Sequence, residues 1–542
     1  MNKLFLSTKN LILSKQRTIV SSAIIVAIMI ILSRFFGFLR YRTLAGYFTK
    51  DELDIFFASF RIPDLVFEIL ITGAVTSSLI PIFIKYQKTQ KALNENISSI
   101  MNILSLILFG VVLIVFIFAA QIIPLMTPGF SAEKIELIVR FSRVLLISQL
   151  PFLVFANFLT GIGQANKTFI ISSLAPIAYN IVIIIATILF AQQFHLLAPI
   201  LGVSIGAFAL FMMQLPLLFT SEFVYVPVMK ITYGVKEFFR MIVPRVITVI
   251  TSQIDATIDL LLTSILGSGS YTIFYLAQHL QLLPVSVIGI SVGQASLPYI
   301  SEVYQQKKTE EFKKIIVDSI LGIFFLTIPI MSFFIFARTP LVRLFFGGQK
   351  FDWDATVQTA VTLSYFALSI PFHSVYYFLT RCYYAFLDSR TPFVISVISV
   401  FINTALSLLF IFVLKLPVWS LGASFSIAIF LNVFFLYIIL AKKIKGLNNT
   451  LLITETIKII LTTFISSFFV YWEMRVLDGL ILDTSRTINV FFLLAIGGIS
   501  YLVLFLFLAW IFNLREFSIL HKFTARAKAY QKKVVEIYTD IE

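Results

Sequence analysis

The sequence has few charged residues and almost no cysteine. Only 13% of its 542 residues are charged, whereas 59% are hydrophobic and 15% are aromatic. A water-soluble domain carries roughly a quarter charged residues, so this composition excludes a water-soluble globular protein. The single cysteine, Cys382, excludes an intramolecular disulfide and a cysteine-based metal site. With 22 glycines and 17 prolines, the chain is neither collagen-like nor disordered.

Familiar catalytic and nucleotide-binding motifs are also absent. The chain contains no GxxxxGK[ST], HExxH or GxSxG pattern, and its four histidines lack the spacing of metal ligands. We therefore predict a protein that is not an enzyme and needs no cofactor. Without a phosphate-binding loop, any transport must draw on an ion gradient, the membrane potential or substrate mass action, which leaves Na⁺ or H⁺ coupling open.

Apolar runs of about 20 residues recur along almost the whole chain, and this pattern predicts an all-α polytopic membrane protein. The basic N-terminus precedes a first helix that has no small-residue cleavage site, so we interpret it as uncleaved. About fourteen spans are predicted, beginning near residues 19, 53, 97, 135, 169, 196, 238, 271, 312, 355, 391, 418, 452 and 488.

The loops differ in charge from one side of the membrane to the other. One set of alternate loops is rich in lysine and arginine. The other set has few basic residues or is acidic, as at Asp51 and Glu52. Basic loops face the cytoplasm, so both termini are predicted to be cytoplasmic. The net charge of +15 therefore indicates contact with anionic lipid head groups, not with nucleic acid. Residues 513–542 have the spacing of an amphipathic helix on the inner leaflet, or of a solvated helical tail. The basic loop residues are Lys85, Lys88, Lys91, Lys167, Lys230, Lys236, Arg240, Lys307, Lys308, Lys313, Lys314, Arg390, Lys442, Lys443 and Lys445.

The chain resembles itself at an offset of about 220 residues. Residues 55–61 (IFFASFR) align with residues 273–279 (IFYLAQH), and two later segments align in the same order. An even number of helices per copy keeps both copies in one membrane orientation, related by a pseudo-two-fold axis along the membrane normal. The predicted domains are an N-lobe at 1–225, a C-lobe at 226–446, two added helices at 447–512 and the tail at 513–542.

The first span carries arginines inside apolar sequence. Arg34, in the motif SRFFGFLRYR, lies near the middle of the span, where a cation costs at least about 2.5 kcal/mol unless it faces water or an anion. Six residues separate Arg34 from Arg40, so the two side chains project within roughly 120° of each other. One anionic ligand can therefore contact both.

Further charges occur in the second and seventh spans. Arg61, Asp64 and Glu68 predict either a wet cavity or compensated ion pairs, such as Arg61 with Asp64. Asp259 predicts a proton or cation site, and its alternative is a salt bridge with Arg245 or His279. In the repeat, His279 takes the position of Arg61.

Several motifs resemble one known family. They are SRFFGFLR, D-x-F-F from Asp54, R-I-P from Arg61, IPIF from Ile80 and AQHLQLLP from Ala277. Together they resemble the MurJ (MviN) lipid II flippase family of the multidrug/oligosaccharidyl-lipid/polysaccharide exporter superfamily. The resemblance implies two six-helix lobes around a central cavity plus two C-terminal helices. It also implies alternating-access transport of undecaprenyl-pyrophosphate-linked peptidoglycan precursor across the bacterial cytoplasmic membrane.

The resemblance also implies roles for individual residues. The substrate diphosphate would contact Ser33, Arg34 and Arg40, with Arg61 and a protonated His279 substituting for arginines that the family usually has. Departures from the family pattern occur at Tyr41, Phe67 and His279. An outer gate is assigned to Asp54 and Glu68, and a possible sodium site to Asp259, Asn403 and Ser407.

Two other functions are compatible with the sequence. The missing arginines favour an exporter of another lipid-linked oligosaccharide. A drug or cation antiporter of the same superfamily would instead need an acidic cavity, and Arg34 and Arg40 argue against it. The expected partners are a lipid-linked diphosphate and membrane lipids, and the sequence does not identify which proteins bind this chain.

Overall fold

The computed structural model describes residues 19–72, 75–166, 168, 170–220 and 223–517. All regular secondary structure in these ranges is helical, which confirms the predicted all-α fold class. The tail predicted at 513–542 lies outside the described residues from position 518 onward.

The first of two compact units consists of Met1–Ile273 and Phe345–Ala355. Most of its helices are joined by turns of only a few residues. Its helices are α1 (Ile19–Tyr47), α2 (Lys50–Ser59), α3 (Arg61–Phe67), a π-helical turn (Glu68–Thr72), α4 (Val75–Tyr86), α5 (Gln90–Met126), α6 (Ala132–Ser148), α7 (Leu150–Ala165), α8 (Ile170–Phe194), α9 (Leu197–Gln214), a 3₁₀ helix (Leu215–Thr220), α10 (Tyr233–Ile265) and the first turn of α11 (Ser270–Pro284).

The second unit consists of Phe274–Leu344 and Thr356–Glu542. Its core includes Phe378 and Tyr383, both fully buried. Its helices are the rest of α11, a π-helical turn (Val285–Ile290), α12 (Ser291–Gln305), α13 (Thr309–Phe336), most of α14 (Arg338–Phe346) and α15 (Trp353–Ala367), then α16 (Ile370–Ala385), α17 (Arg390–Leu408), a π-helical turn (Leu409–Val413), α18 (Trp419–Lys443), α19 (Asn449–Val476), a π-helical turn (Leu477–Ile481) and α20 (Thr487–Ile511).

Ten helical stretches among the described residues are long and apolar enough to cross a membrane. A helix also begins close to every predicted span start, and the largest difference is between the predicted start at 97 and Gln90. The count of about fourteen spans stays a prediction. The predicted domain boundary at 225/226 follows the sequence repeat, whereas the compact units are defined by contacts within the fold. The boundary at 225/226 therefore also stays a prediction.

Two π-helical turns recur at equivalent positions of the repeat. One occupies Glu68–Thr72 and the other Val285–Ile290, an offset of 217 at the first residue. This offset is close to the 218 residues that separate Ile55 from Ile273. Because π turns are rare and depend on local backbone geometry, their coincidence supports the repeat independently of apolar sequence similarity.

A proline interrupts the second span and is compensated from a neighbouring helix. Pro63 has no N–H to donate to the carbonyl of Ser59, four residues earlier. The hydroxyl of Ser142 on α6 donates to that carbonyl at 2.8 Å. The break between α2 and α3 at Phe60 therefore leaves no unsatisfied carbonyl at Ser59.

Residues 223–232 connect the 3₁₀ helix to α10 as an extended segment held along α5. Residues 224, 226 and 228 bond one helical turn further along α5 each time, whereas Lys230 and Thr232 bond back to Ser99 and Asn96. Two extended residues span about 6.6 Å and four helical residues about 6.0 Å, so the two spacings match. This segment fixes where α10 begins. The bonds are Val224 N to Asn94 Oδ1 (3.0 Å), Val226 N to Ser98 Oγ (3.0 Å) and Asn102 Nδ2 to Val228 O (2.8 Å).

Candidate functional site

Charged side chains from the first, second and seventh spans interact in the first unit. Asp64 experiences the charges of Arg61, Glu68 and Arg40. Asp259 experiences those of Asp255 and Arg61. We call this set, consisting of Arg40, Arg61, Asp64, Glu68, Asp255 and Asp259, the charged cluster.

Arg61 is held by polar atoms of α10. Its Nη2 donates to the backbone carbonyl of Gln253 at 2.6 Å and to Oε1 of Gln253 at 2.7 Å. Its Nε donates to Oγ1 of Thr257 at 3.2 Å. Arg61 and Asp64 form no direct ion pair, although the charge of Arg61 acts on the carboxyl of Asp64. Neither Gln253 nor Thr257 was expected, because neither is charged.

Arg34 and Arg40 differ in their surroundings although both lie on α1. Arg34 is exposed, and Ser33 is half-buried. Arg40 is half-buried, and its guanidinium carbon lies 4.7 Å from the centre of the Tyr41 ring. Arg40 belongs to the charged cluster through its effect on Asp64, while Arg34 lies on the exposed surface of the helix about 1.7 turns away.

Asp54, a predicted gate residue, is fully buried. Its carboxylate accepts hydrogen bonds from the backbone N–H of Gly269 at 2.6 Å and of Thr272 at 2.8 Å, and from Oγ1 of Thr272 at 2.8 Å. A carboxylate there caps the N-terminus of α11, where N–H groups lack helical partners. The glycine- and serine-rich segment at 267–270 carries no sequence signal for this contact with Asp54.

The remaining gate and ion-site residues lie in different parts of the chain. Glu68 begins the first π-helical turn and is half-buried. Asp259 is buried on α10 in the first unit, whereas Asn403 and Ser407 are buried on α17 in the second. Ser407 Oγ lies 2.7 Å from Ser424 Oγ on α18.

No group of three or more His, Cys, Asp or Glu residues that could hold a metal occurs within the described ranges. The sodium site stays a prediction. Its salt-bridge alternative with Arg245 falls on a side chain outside the described part of the chain.

His279 bonds to its own helix. Its Nδ1 lies 2.8 Å from the carbonyl oxygen of Tyr275, one turn earlier on α11. The two rings are 4.0 Å apart between centres. A carbonyl only accepts hydrogen bonds, so Nδ1 carries the proton of this bond.

Apolar helical spans that hold charged residues, as in the described part of this chain, indicate a multi-pass membrane protein with a polar functional site. The profile of the family described as "Lipid II flippase MurJ" matches residues 45–492. The chain therefore belongs to the lipid II flippase MurJ family, which confirms the family predicted from its motifs.

Individual proteins agree with this assignment. The "Probable lipid II flippase MurJ" of Buchnera aphidicola subsp. Schizaphis graminum is 28% identical over 508 residues, covering 90% of this chain and 97% of that protein. A solved structure titled "Lipid II flippase MurJ, inward closed conformation" has a TM-score of 0.74 and 26% identity, covering 89% of this chain and 98% of the other. The fold is shared by a solved structure of a multidrug resistance MATE family transporter of the MOP superfamily in its inward-facing conformation. That protein is 13% identical, has a TM-score of 0.67, and the match covers 76% of this chain and 94% of the other.

Proposed function

We propose that this protein moves lipid II, the undecaprenyl-pyrophosphate-linked peptidoglycan precursor, from the inner to the outer leaflet of the bacterial cytoplasmic membrane by alternating access. The observation that carries the proposal is a family match over residues 45–492 in a chain whose apolar spans hold Arg34, Arg40 and Arg61. Fixed guanidinium groups in lipid-facing sequence need an anionic ligand, and a diphosphate supplies one.

Arginine suits this substrate because its planar guanidinium donates two parallel hydrogen bonds to phosphate oxygens. In this proposal Ser33, Arg34 and Arg40 contact the diphosphate. Arg61 contributes as well, since its bonds to α10 use Nε and Nη2 and leave the two N–H groups of Nη1. Protonated His279 adds a further donor.

The gate and the coupling ion are the second part of the proposal. Asp54 and Glu68 act at the outer gate, and the hydrogen bonds of Asp54 to the start of α11 are the contacts that opening would break. Asp259, with Asn403 and Ser407, binds Na⁺, or Asp259 alone takes up H⁺.

In this proposal both termini are cytoplasmic, and the alternating units are residues 1–225 and 226–446. Helices 447–512 form the addition outside the repeat, and residues 513–542 form the cytoplasmic tail. The orientation rests on the basic loops, which face the cytoplasm in multi-pass membrane proteins.

Replacement of the resident flippase in a bacterial depletion strain tests the function directly. We expect this chain to restore growth and lipid II translocation. The missing arginines at Phe67 and His279 favour the second candidate, an exporter of another lipid-linked oligosaccharide. Vesicles containing the purified protein and either lipid II or a different diphosphate-linked oligosaccharide separate the two. Transport of the second lipid alone would overturn the lipid II assignment.

A further inference from the structure

Two arginines outside the charged cluster lie on one face of α6. Arg140 and Arg143 are three residues apart, which makes them neighbours on the helix surface. Neither forms an ion pair with any residue in the described ranges. The transport mechanism proposed above uses neither of them.

Arg143 is held against α5. Its Nε donates to the carbonyl of Phe116 at 2.9 Å and its Nη2 to the carbonyl of Ile117 at 3.4 Å. The guanidinium also lies 5.2 Å from the centre of the Phe116 ring. These contacts position the charge without neutralising it, because a carbonyl and an aromatic ring carry no net negative charge.

The level of these contacts lies inside the apolar part of the span. Residues 103–120 of α5, between Asn102 and Gln121, contain no charged or amide side chain. Phe116 is five residues from Gln121, which corresponds to about 7.5 Å along the helix. An arginine side chain can reach across that distance to the polar edge of a membrane by snorkelling.

Arg140 is exposed and forms no hydrogen bond within the described residues. Exposed apolar side chains surround the pair, including Ile117 at 53% and Ile147 at 59% exposure. Glu136, one turn before Arg140, is the nearest acidic residue on the same helix, and the two do not form an ion pair. A pair of cations at this level, without an acidic partner among the described residues, is placed to meet the phosphate layer at the edge of the membrane.

We propose that Arg140 and Arg143 bind the phosphate of an anionic phospholipid in the leaflet next to the 127–131 turn. Arg143 is oriented by its bonds to α5 and donates its remaining N–H groups to the phosphate. Arg140, one turn earlier on α6, donates to the same phosphate. The acyl chains pack along the exposed side chains of Ile117 and Ile147. In the topology proposed above this leaflet is the outer one.

Native mass spectrometry of the purified full-length protein with phosphatidylglycerol tests the site. We expect Arg140→Gln to weaken retention of one lipid, and Arg140→Gln with Arg143→Gln to weaken it roughly tenfold or more. The matched control is Arg390→Gln, an exposed arginine at the start of α17, which should retain the lipid as the wild type does. Glu136→Gln removes the competing carboxylate and should leave retention equal or stronger.

Three outcomes would overturn the proposal. Unchanged retention in the double variant would mean that the arginines bind no lipid. Equal losses in Arg390→Gln would mean that only net charge matters. Loss of an undecaprenyl diphosphate lipid with normal retention of phosphatidylglycerol would assign the pair to the transported substrate. Because Arg143 also supports the contact between α5 and α6, the single variant Arg140→Gln, with an unchanged melting temperature in lipid-free detergent, keeps the test independent of folding.

Discussion

Arg61 and His279 occupy equivalent positions of the repeat but have different hydrogen-bond partners. Arg61 reaches from α3 to Gln253 and Thr257 on α10. His279 Nδ1 bonds to the carbonyl of Tyr275, on its own helix. A guanidinium at the end of a long side chain can join two helices, whereas an imidazole at this position satisfies its donor locally.

The backbone around the two residues has stayed alike. Each is followed by a π-helical turn, Glu68–Thr72 after Arg61 and Val285–Ile290 after His279. The repeat thus preserves the course of the chain, while the charge carried at equivalent positions has diverged. At this one pair of equivalent positions, the first repeat carries a permanent cation and the second carries an imidazole.

The largest expected effect comes from removing the permanent cations. Arg34→Ala and Arg40→Ala should each abolish growth complementation, because each removes charge-assisted contacts worth about 1.5–3 kcal/mol. Arg34→Lys should restore part of the activity, since lysine keeps the charge but loses bidentate geometry. Complementation is measured at equal membrane abundance, and normal growth with both alanine variants would contradict the role of the first repeat.

The second prediction contrasts the two halves of the proposed ion site. Asp259→Asn should leave membrane insertion intact and erase any dependence of transport on Na⁺ or pH. Ser407→Ala in the second unit removes one possible oxygen ligand and should weaken the dependence without erasing it. Transport in vesicles with imposed Na⁺ or pH gradients measures both. Failure of Asp259→Asn to accumulate, with rescue by a change at Arg245, would identify a structural salt bridge instead.

The third prediction concerns stability. Arg61→Gln removes three hydrogen bonds to α10 and should lower the free energy of unfolding by about 2–3 kcal/mol. His279→Gln loses one local bond and should cost about 1 kcal/mol or less. Thermal melting in detergent measures both variants. Equal destabilisation would show that the contact across helices adds nothing beyond the local bond.

The fourth prediction addresses the π-helical turn of the second repeat. A Cβ added at Gly289 would lie 2.6 Å from Cα of Ser374 on α16, which is too close for either backbone to tolerate. Gly289→Ala should therefore destabilise the protein by about 1–3 kcal/mol. Gly322→Ala on α13 is the control, because a Cβ there meets nothing within 4 Å and improves helix propensity. A stable Gly289→Ala variant would mean that close packing does not maintain this turn.

The smallest effect is expected in the loop before α17. Partial burial opposes ionisation of Asp388, but the Lys443 ammonium and the two donors of Thr391 outweigh it and lower its pKa from 3.8 to about 2. In the first repeat the equivalent position is Ala165, and Thr168 donates to the carbonyl of Gly163 instead.

A carboxylate with a lowered pKa stabilises the fold above its unfolded pKa and loses that effect as pH falls through its folded pKa. Asp388→Asn should therefore cost about 1 kcal/mol at neutral pH. The difference from the wild type should shrink between about pH 5 and pH 2. Melting curves across this range, with Lys443→Met as a second variant, measure the effect. A difference that does not change with pH would exclude the ionised carboxylate as its source.

The apolar spans and the charged positions were predictable from the sequence, whereas the hydrogen-bond partners of the charged side chains were not. Arg61 was recognised because a cation in apolar sequence is costly and therefore conspicuous. Its partners Gln253 and Thr257 are neutral, lie 192 and 196 residues later and carry no signal in a local pattern. Asp54 was likewise predicted as a gate residue, but the sequence did not indicate that its carboxylate accepts hydrogen bonds from the N–H groups of Gly269 and Thr272.

The sequence by itself determined the membrane class, the approximate starts of the helices that begin the predicted spans, and the positions of the charges. These properties follow from local chemistry, since apolar length, turn residues and buried charge are visible residue by residue. Only the tertiary structure decided which helix each charge faces and where the π turns fall. A hydrogen bond between helices depends on how they pack, and that packing is the joint result of side chains hundreds of positions apart.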